Sequence, residues 1–369
     1  MKVEGEGITL HLFSAVANSS FFTLHSSLFI LHSSFFTLHS SLFITMNCLY
    51  VFNPENDMAL ADGKASYTPP ARIRQMRQEL WWLPEWWADE GDIVWNGEDN
   101  LNLPDEMRIL PWGWSTALCR QLRQAGVQES LLPSAEKLEH IRQLSHRQTA
   151  VALLQELREQ LPLDGHFCGE STLCRSEEEV RDAVGRYGEA MLKQPWSSSG
   201  RGIRKIQAKT LSNSLVKGAS SKEQGEASLI VERFLHKVSD FALEFWLDGM
   251  GGVEYRGLSL FYTNERGAYL GNWVAPEGQK LAWLAQYVPL PHLQEIRRWW
   301  EQRLRSFDYE GPVGIDMMLA EEGICPCIEV NWRWTMGLVA CLLAEQGRYG
   351  RMVVEYIYGH YAAEVEAFG

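Results

Sequence analysis

Two stretches, Gly314-Ile-Asp-Met-Met-Leu319 and Cys327-Ile-Glu-Val-Asn-Trp-Arg333, decide how the chain reads, together with Met191-Leu-Lys-Gln-Pro-Trp-Ser-Ser-Ser-Gly-Arg-Gly202 upstream. The first two are apolar enough for buried strands, yet each carries an acid. Side chains two apart on a strand share a face, so Glu329 and Asn331 project together and Asp316 is placed to join them from a neighbouring strand. Carboxylates among Ile, Met and Val are costly to bury unless something cationic pairs them. Three hard oxygen donors suit Mg²⁺, which takes one or two carboxylates plus substrate phosphates more readily than an all-protein cage. Taken singly, each acid reads equally as a solvated strand end. Upstream, a strand ending in Lys193 runs into the hydroxyl- and glycine-rich segment Ser197, Ser198, Ser199, Gly200 and Gly202. Glycine permits a close backbone approach, so amides there can point at phosphate oxygens. By itself such a loop is a flexible connector; the strand before it and Ile203-Arg-Lys-Ile206 after it favour a phosphate flap. Neither a Walker loop nor G-x-G-x-x-G occurs.

The order lysine, glycine-rich loop, then Asp…Glu-x-Asn-x-Arg resembles the ATP-grasp superfamily, with specific motifs from about Ser134 to Gly337 and a looser likeness back to Met46. The resemblance implies a small Rossmann-like α/β domain followed by a two-lobed, α+β ATP-grasp fold. It implies ATP with Mg²⁺ or Mn²⁺, and ligation of a carboxylate to an amine or similar nucleophile through an acyl phosphate. A small-molecule kinase on the same fold and a non-catalytic nucleotide-binding interaction protein are the alternatives. Asp316, Glu329 and Asn331 take the metal positions and Arg333 the catalytic one, although Trp332 stands where such chains have proline. Lys193 takes the nucleotide lysine's place. Arg147 takes the phosphate-reaching place at a helix start, with His146 where an acid is usual; otherwise Arg147 is an exposed helix charge. Glu232, Arg233 and Leu235 match the adenine hinge, and Asp240 the ribose position, with Glu244 as its competitor. Arg256, Asn272 and Trp273 are candidate substrate contacts.

A net charge of −13 over 369 residues argues against nonspecific nucleic-acid binding, which rests on Lys and Arg at phosphates. The partners that the resemblance implies are small-molecule carboxylates and amines, in a monomer or an oligomer. Seven cysteines without metal-type spacing fit a reduced, cytoplasmic setting; the close pair Cys325 and Cys327 reads as strand packing. The tryptophan pairs at 81–82, 86–87 and 299–300 read as packing or as a contact surface.

Residues 19–30 recur unchanged at 33–44. Structural repeats drift at unburied positions, so perfect identity reads as a tandem DNA repeat, and Met46 as the natural start after a gene-model extension over 1–45. His25, His32 and His39 are by-products of that repeat. A secretion signal is disfavoured by the acidic start, and no apolar run approaches the roughly 20 residues of a membrane span. The remaining chain divides into an α/β domain over 46–132 and two lobes over 133–232 and 233–369. A strand over 47–52 leads to a turn over 53–57. Helices are expected at 71–80, at 114–126 with a Ser115 cap, through 138–160, after Ser176, and at 292–307.

Overall fold

The strand expected over 47–52 is β1 (Cys48–Val51) of the computed structural model, which describes residues 47–161, 165–196, 203–211, 221–223, 226–264 and 267–367, with the backbone alone given for 221–223 and 226–227. Residues 1–46 and the loop carrying Ser197, Ser198, Ser199, Gly200 and Gly202 lie outside these, so neither the extension nor the flap is described. Asn47–Gly369 forms one compact unit.

Helices α1 (Asn56–Asp62) and α2 (Ala71–Leu80) separate β1 from β2 (Ile93–Val94), and β3 (Arg108–Pro111) and α3 (Thr116–Gln124) follow. Both β2 and β3 pair with β1 in parallel. Alternation along β1 builds two cores. Leu49 and Val51 pack with Ile109, Leu118 and Leu122, while Tyr50 and Phe52 turn to the opposite face. The Ser115 cap forms as its sequence predicts, accepting from Leu118 N at 3.3 Å. The turn expected over 53–57 is shorter, because α1 already starts at Asn56. Asn53 anchors its entry by donating to Gly113 O at 2.8 Å.

The single helix expected through 138–160 is two helices, α4 (Ala135–Ser145) and α5 (Arg147–Gln160). His146 breaks them with an extended backbone (φ −70, ψ 134) and caps α5, Nδ1 accepting from Gln148 N at 3.1 Å. Burial, with Arg142 beside it, pulls this imidazole down to about 4, so the neutral ring can accept. Beyond α5 come β4 (Ser171–Cys174), α6 (Glu177–Tyr187), β5 (Glu189–Lys193), β6 (Ile203–Gln207), β7 (Ser221–Glu223) and β8 (Glu226–Arg233). They form an antiparallel sheet in the order β4-β8-β5-β6, with β7 on β8. Val180, Ala183 and Val184 of α6 close its core against Leu192 and Val231.

The final lobe contains β9 (Lys237–Asp248), β10 (Val253–Thr263), β11 (Tyr269–Val274), α7 (Glu277–Leu284), α8 (Leu290–Leu304), β12 (Glu310–Ala320), β13 (Gly323–Asn331), α9 (Met336–Glu345), β14 (Gly350–Ile357) and β15 (His360–Glu366). Its seven strands run antiparallel in the order β13-β12-β9-β10-β11-β14-β15. One face receives the starts of α5 and α9. The other receives α8, where Arg297 lies 4.5 Å over the Tyr255 ring. The tryptophan pairs serve packing: Trp300 is fully buried, and Trp87 stacks on Trp334 at 4.9 Å. Cys325 and Cys327 are buried and unbonded to one another. Among the described residues, no helix is long and apolar enough to cross a membrane.

Candidate functional site

Register brings the three expected oxygen donors together. Asp316 of β12 stands opposite Glu329 of β13, and Gly314 opposite Asn331. On the other side of β12, Ala242 faces Asp316 and Glu244 faces Gly314. Directly opposed residues project to one side, so Asp316, Glu329, Asn331 and Glu244 share a face. The Asp316 carboxyl is pushed well above the usual range, first by burial, then by the neighbouring charges of Glu329 and Glu244, against smaller opposing pulls from the Asn331 amide and Arg333. Two neighbouring acids that repel one another and an adjacent amide oxygen make a donor set that fits a divalent cation. Among the described residues, no three His, Cys, Asp or Glu side chains cluster closely enough to hold an ion unaided, so the third donor would be Asn331 or a ligand.

Arg147 reaches this face from the first position of α5. Its Nη2 donates to both Glu329 oxygens at 3.1 Å, and its side chain is only 7 % exposed. The break at His146 is what aims it there. Arg147 N also donates to Pro195 O at 3.4 Å, tying the helix start to the segment after Lys193. A small cleft of about 20 Å³ opens here, its lining including Asp57, Ser145, Arg147, Trp196, Glu329 and Asn331.

Lys193 ends β5 with Nζ 2.5 Å from Glu232 Oε2 on β8. Glu232 is thus a partner of the lysine. Arg233 instead pairs with Glu170 at 3.2 Å. Leu235 packs with Ala320 and Cys325, flanked by Met318 and Ile328, forming an apolar wall beyond the end of β8. Asp240 accepts from Lys237 Nζ at 2.8 Å and Thr263 Oγ1 at 2.6 Å. Its competitor Glu244 lies elsewhere, beneath α9 and 1 % exposed. There it accepts from Thr335 Oγ1 at 2.8 Å and Ser259 Oγ at 3.2 Å, and burial pushes its carboxyl up to about 7 despite those bonds. Asn272 and Trp273 are buried, and Arg256 pairs with Glu254 at 2.7 Å.

Arg333 is committed to a residue that sequence reading missed. Its Nε and Nη2 donate to Asp57 Oδ1 and Oδ2 at 2.8 and 2.9 Å, and Nη1 donates to Trp334 O at 2.9 Å. Asp57 comes from α1, and nearby in the chain Trp112 O, just after β3, accepts from Trp334 N at 2.8 Å. The only signal was an acid in a polar turn, common at any strand exit.

No family model matches the chain, and no curated protein matches it. Among solved structures it is similar to Campylobacter jejuni biotin carboxylase in a β,γ-ATP complex (13 % identity, 84 % of this chain and 75 % of that one, TM-score 0.47). It is similar to Thermotoga maritima phosphoribosylamine–glycine ligase (14 % identity, 84 % and 81 %, TM-score 0.47). It is also similar to the biotin carboxylase domain of Hydrogenobacter thermophilus 2-oxoglutarate carboxylase, solved with MgADP, ADP and bicarbonate (14 % identity, 59 % of this chain, TM-score 0.40); this chain spans 51 % of that domain's length.

Proposed function

We propose that the chain is an ATP- and Mg²⁺-dependent ligase of ATP-grasp type, joining a carboxylate to an amine or similar nucleophile through an acyl phosphate. The observation that supports this best is the in-register face of Asp316, Glu329 and Asn331, with Arg147 fixed bidentately at its edge. Those three residues would hold the ion, which supplies charge neutralisation at phosphate oxygens when bound. Arg147 offers a fixed planar charge to a transferring phosphoryl group. Lys193, oriented by Glu232, offers a charged hydrogen bond to the nucleotide, and Leu235 with Met318 and Ile328 offers the apolar wall that a base needs. In this class of chemistry, positioning and charge stabilisation carry the rate. The test is Mg²⁺-dependent ADP release across a panel of carboxylates and amines, with product analysis. ADP with a new amide supports the ligase. ADP with a phosphorylated substrate would make the protein a kinase, and absence of turnover across the panel would leave only nucleotide binding.

A further inference from the structure

We propose that Asp57 is the residue that receives the nucleophile, and that the nucleophile is a primary amine entering as its cation; this rests on the ligase reading. The pairing of Asp57 with Arg333 carries the inference. Arg333 spends its Nε and Nη2 on the two oxygens of Asp57 and its Nη1 on Trp334 O. Three of its five N–H donors are therefore spent within the protein, two of them on Asp57. Each Asp57 oxygen takes one N–H from Arg333, and a carboxylate oxygen has a second lone-pair site. Asp57 lines the cleft beside Arg147, Trp196, Glu329 and Asn331, whereas Arg333 does not. The acid is also the more open partner, its side chain 28 % exposed against 19 % for the arginine. The cleft is thus offered a carboxylate whose orientation the guanidinium fixes from behind. Such an edge recognises a hydrogen-bond-donating cation and repels a second anion. An ammonium on Asp57 would lie in the same cleft as Glu329 and Asn331; there it gives one proton to the Asp57 carboxylate, and the free amine lone pair then forms the C–N bond as the acyl phosphate's C–O bond breaks and phosphate leaves. Arg333 is then a positioning residue.

The experiment is calorimetric titration of the nucleotide-free protein with putrescine, ethanolamine and L-alanine methyl ester, and with their fully N-acetylated counterparts (the N,N′-diacetyl compound for putrescine). At least one cationic amine is expected to bind saturably, its acetylated counterpart at least ~10-fold more weakly. Asp57→Asn should weaken the amine at least ~10-fold, the loss expected of a charge-assisted hydrogen bond. Should Asp57→Asn melt below the assay temperature, Asp57→Asn combined with Arg333→Gln removes both charges together and should give the same loss. If no amine of the set binds the wild-type protein, or if the variant binds as tightly, the assignment of Asp57 is overturned. No nucleotide is present, so this result stands apart from ADP release, and either reading can fail alone.

Discussion

Replacing Gly337 by alanine should destabilise the protein, although the same replacement at Gly185 should stabilise it. Both glycines lie in helices, Gly337 in α9 and Gly185 in α6, and alanine in a helix gains roughly 0.5–1 kcal/mol over glycine. At Gly185 a new Cβ meets nothing within 4 Å, so that gain stands. At Gly337 it would lie 2.1 Å from Glu244 Oε1 and 2.5 Å from Ser259 Oγ. Neither atom is the free end of a flexible chain, since Glu244 is held by Thr335 and Ser259. Overpacking of this kind costs about 1–3 kcal/mol, and displacing one buried hydrogen bond adds about 1 kcal/mol. The clash therefore outweighs the propensity gain, for a net loss of about 1–3 kcal/mol. Urea melts of the two variants read the opposite signs directly. Glu244→Ala removes the obstructing carboxylate, so in that background Gly337→Ala should cost much less. A Gly337→Ala protein more stable than wild type, or one whose loss persists without Glu244, would refute the placement of Glu244 beneath α9.

The buried Glu244 should also govern the pH dependence of stability. Its folded carboxyl is raised from 4.5 to about 7, so its contribution is full below about pH 4.5 and is lost as pH rises through 7, about 3 kcal/mol in all. Glu244→Gln should flatten that slope in melts taken from pH 5 to 8; an unchanged slope would exclude Glu244 as its source. Asp316→Asn relieves the repulsion with Glu329 and Glu244, so without divalent ions its melting temperature should rise, while any Mg²⁺-induced upward shift disappears. A Mg²⁺ shift as large as that of the wild type would count against the metal face. Lys193→Ala should weaken binding of a nonhydrolysable ATP analogue by about 1.5–3 kcal/mol, or roughly 10- to 150-fold; unchanged calorimetric affinity would make Lys193 structural.

Short apolar runs made β1, β9, β12 and β13 legible, and capping serines marked α3 and α6, because both signals are local. The division at His146 was legible only through the family resemblance, which set Arg147 at a helix start; by periodicity Leu144 and the apolar residues of α5 continue one helical rhythm, and only an extended residue resets it. Helix α9 was missed for a different reason. Met336-Gly-Leu-Val-Ala-Cys-Leu-Leu-Ala-Glu345 is apolar almost all round, matching its burial on several sides, so no amphipathic period exists to be read. At the site, residues two apart on one strand could be paired by inspection, which yielded Glu329 and Asn331. Their ionic partners could not. Arg147 and Glu329 are 182 positions apart, and Asp57 and Arg333 are 276 apart; nothing local records such a meeting. Glu244 was weighed against Asp240 by sequence distance from the hinge, whereas strand register sends the two toward different neighbours.

The route by which the chain enters and leaves the β4-β8-β5-β6 sheet has a mechanical consequence. Glu170 O, just ahead of β4, accepts from Arg233 N at the end of β8 at 2.9 Å, so the two crossings run side by side. Next to them, Cys168 N donates to Ile324 O and Glu321 N to His236 O, each at 2.9 Å, gathering both crossings onto the same end of β13. The sheet's own core closes among Cys174, Val184, Leu192 and Val231, without borrowing a residue from the final lobe. A body packed in this way keeps its interior independent of its joints, so the gap between Lys193 and the acids Asp316 and Glu329 is set at those joints: the two crossings, and the bond from Arg147 N to Pro195 O two residues beyond the lysine.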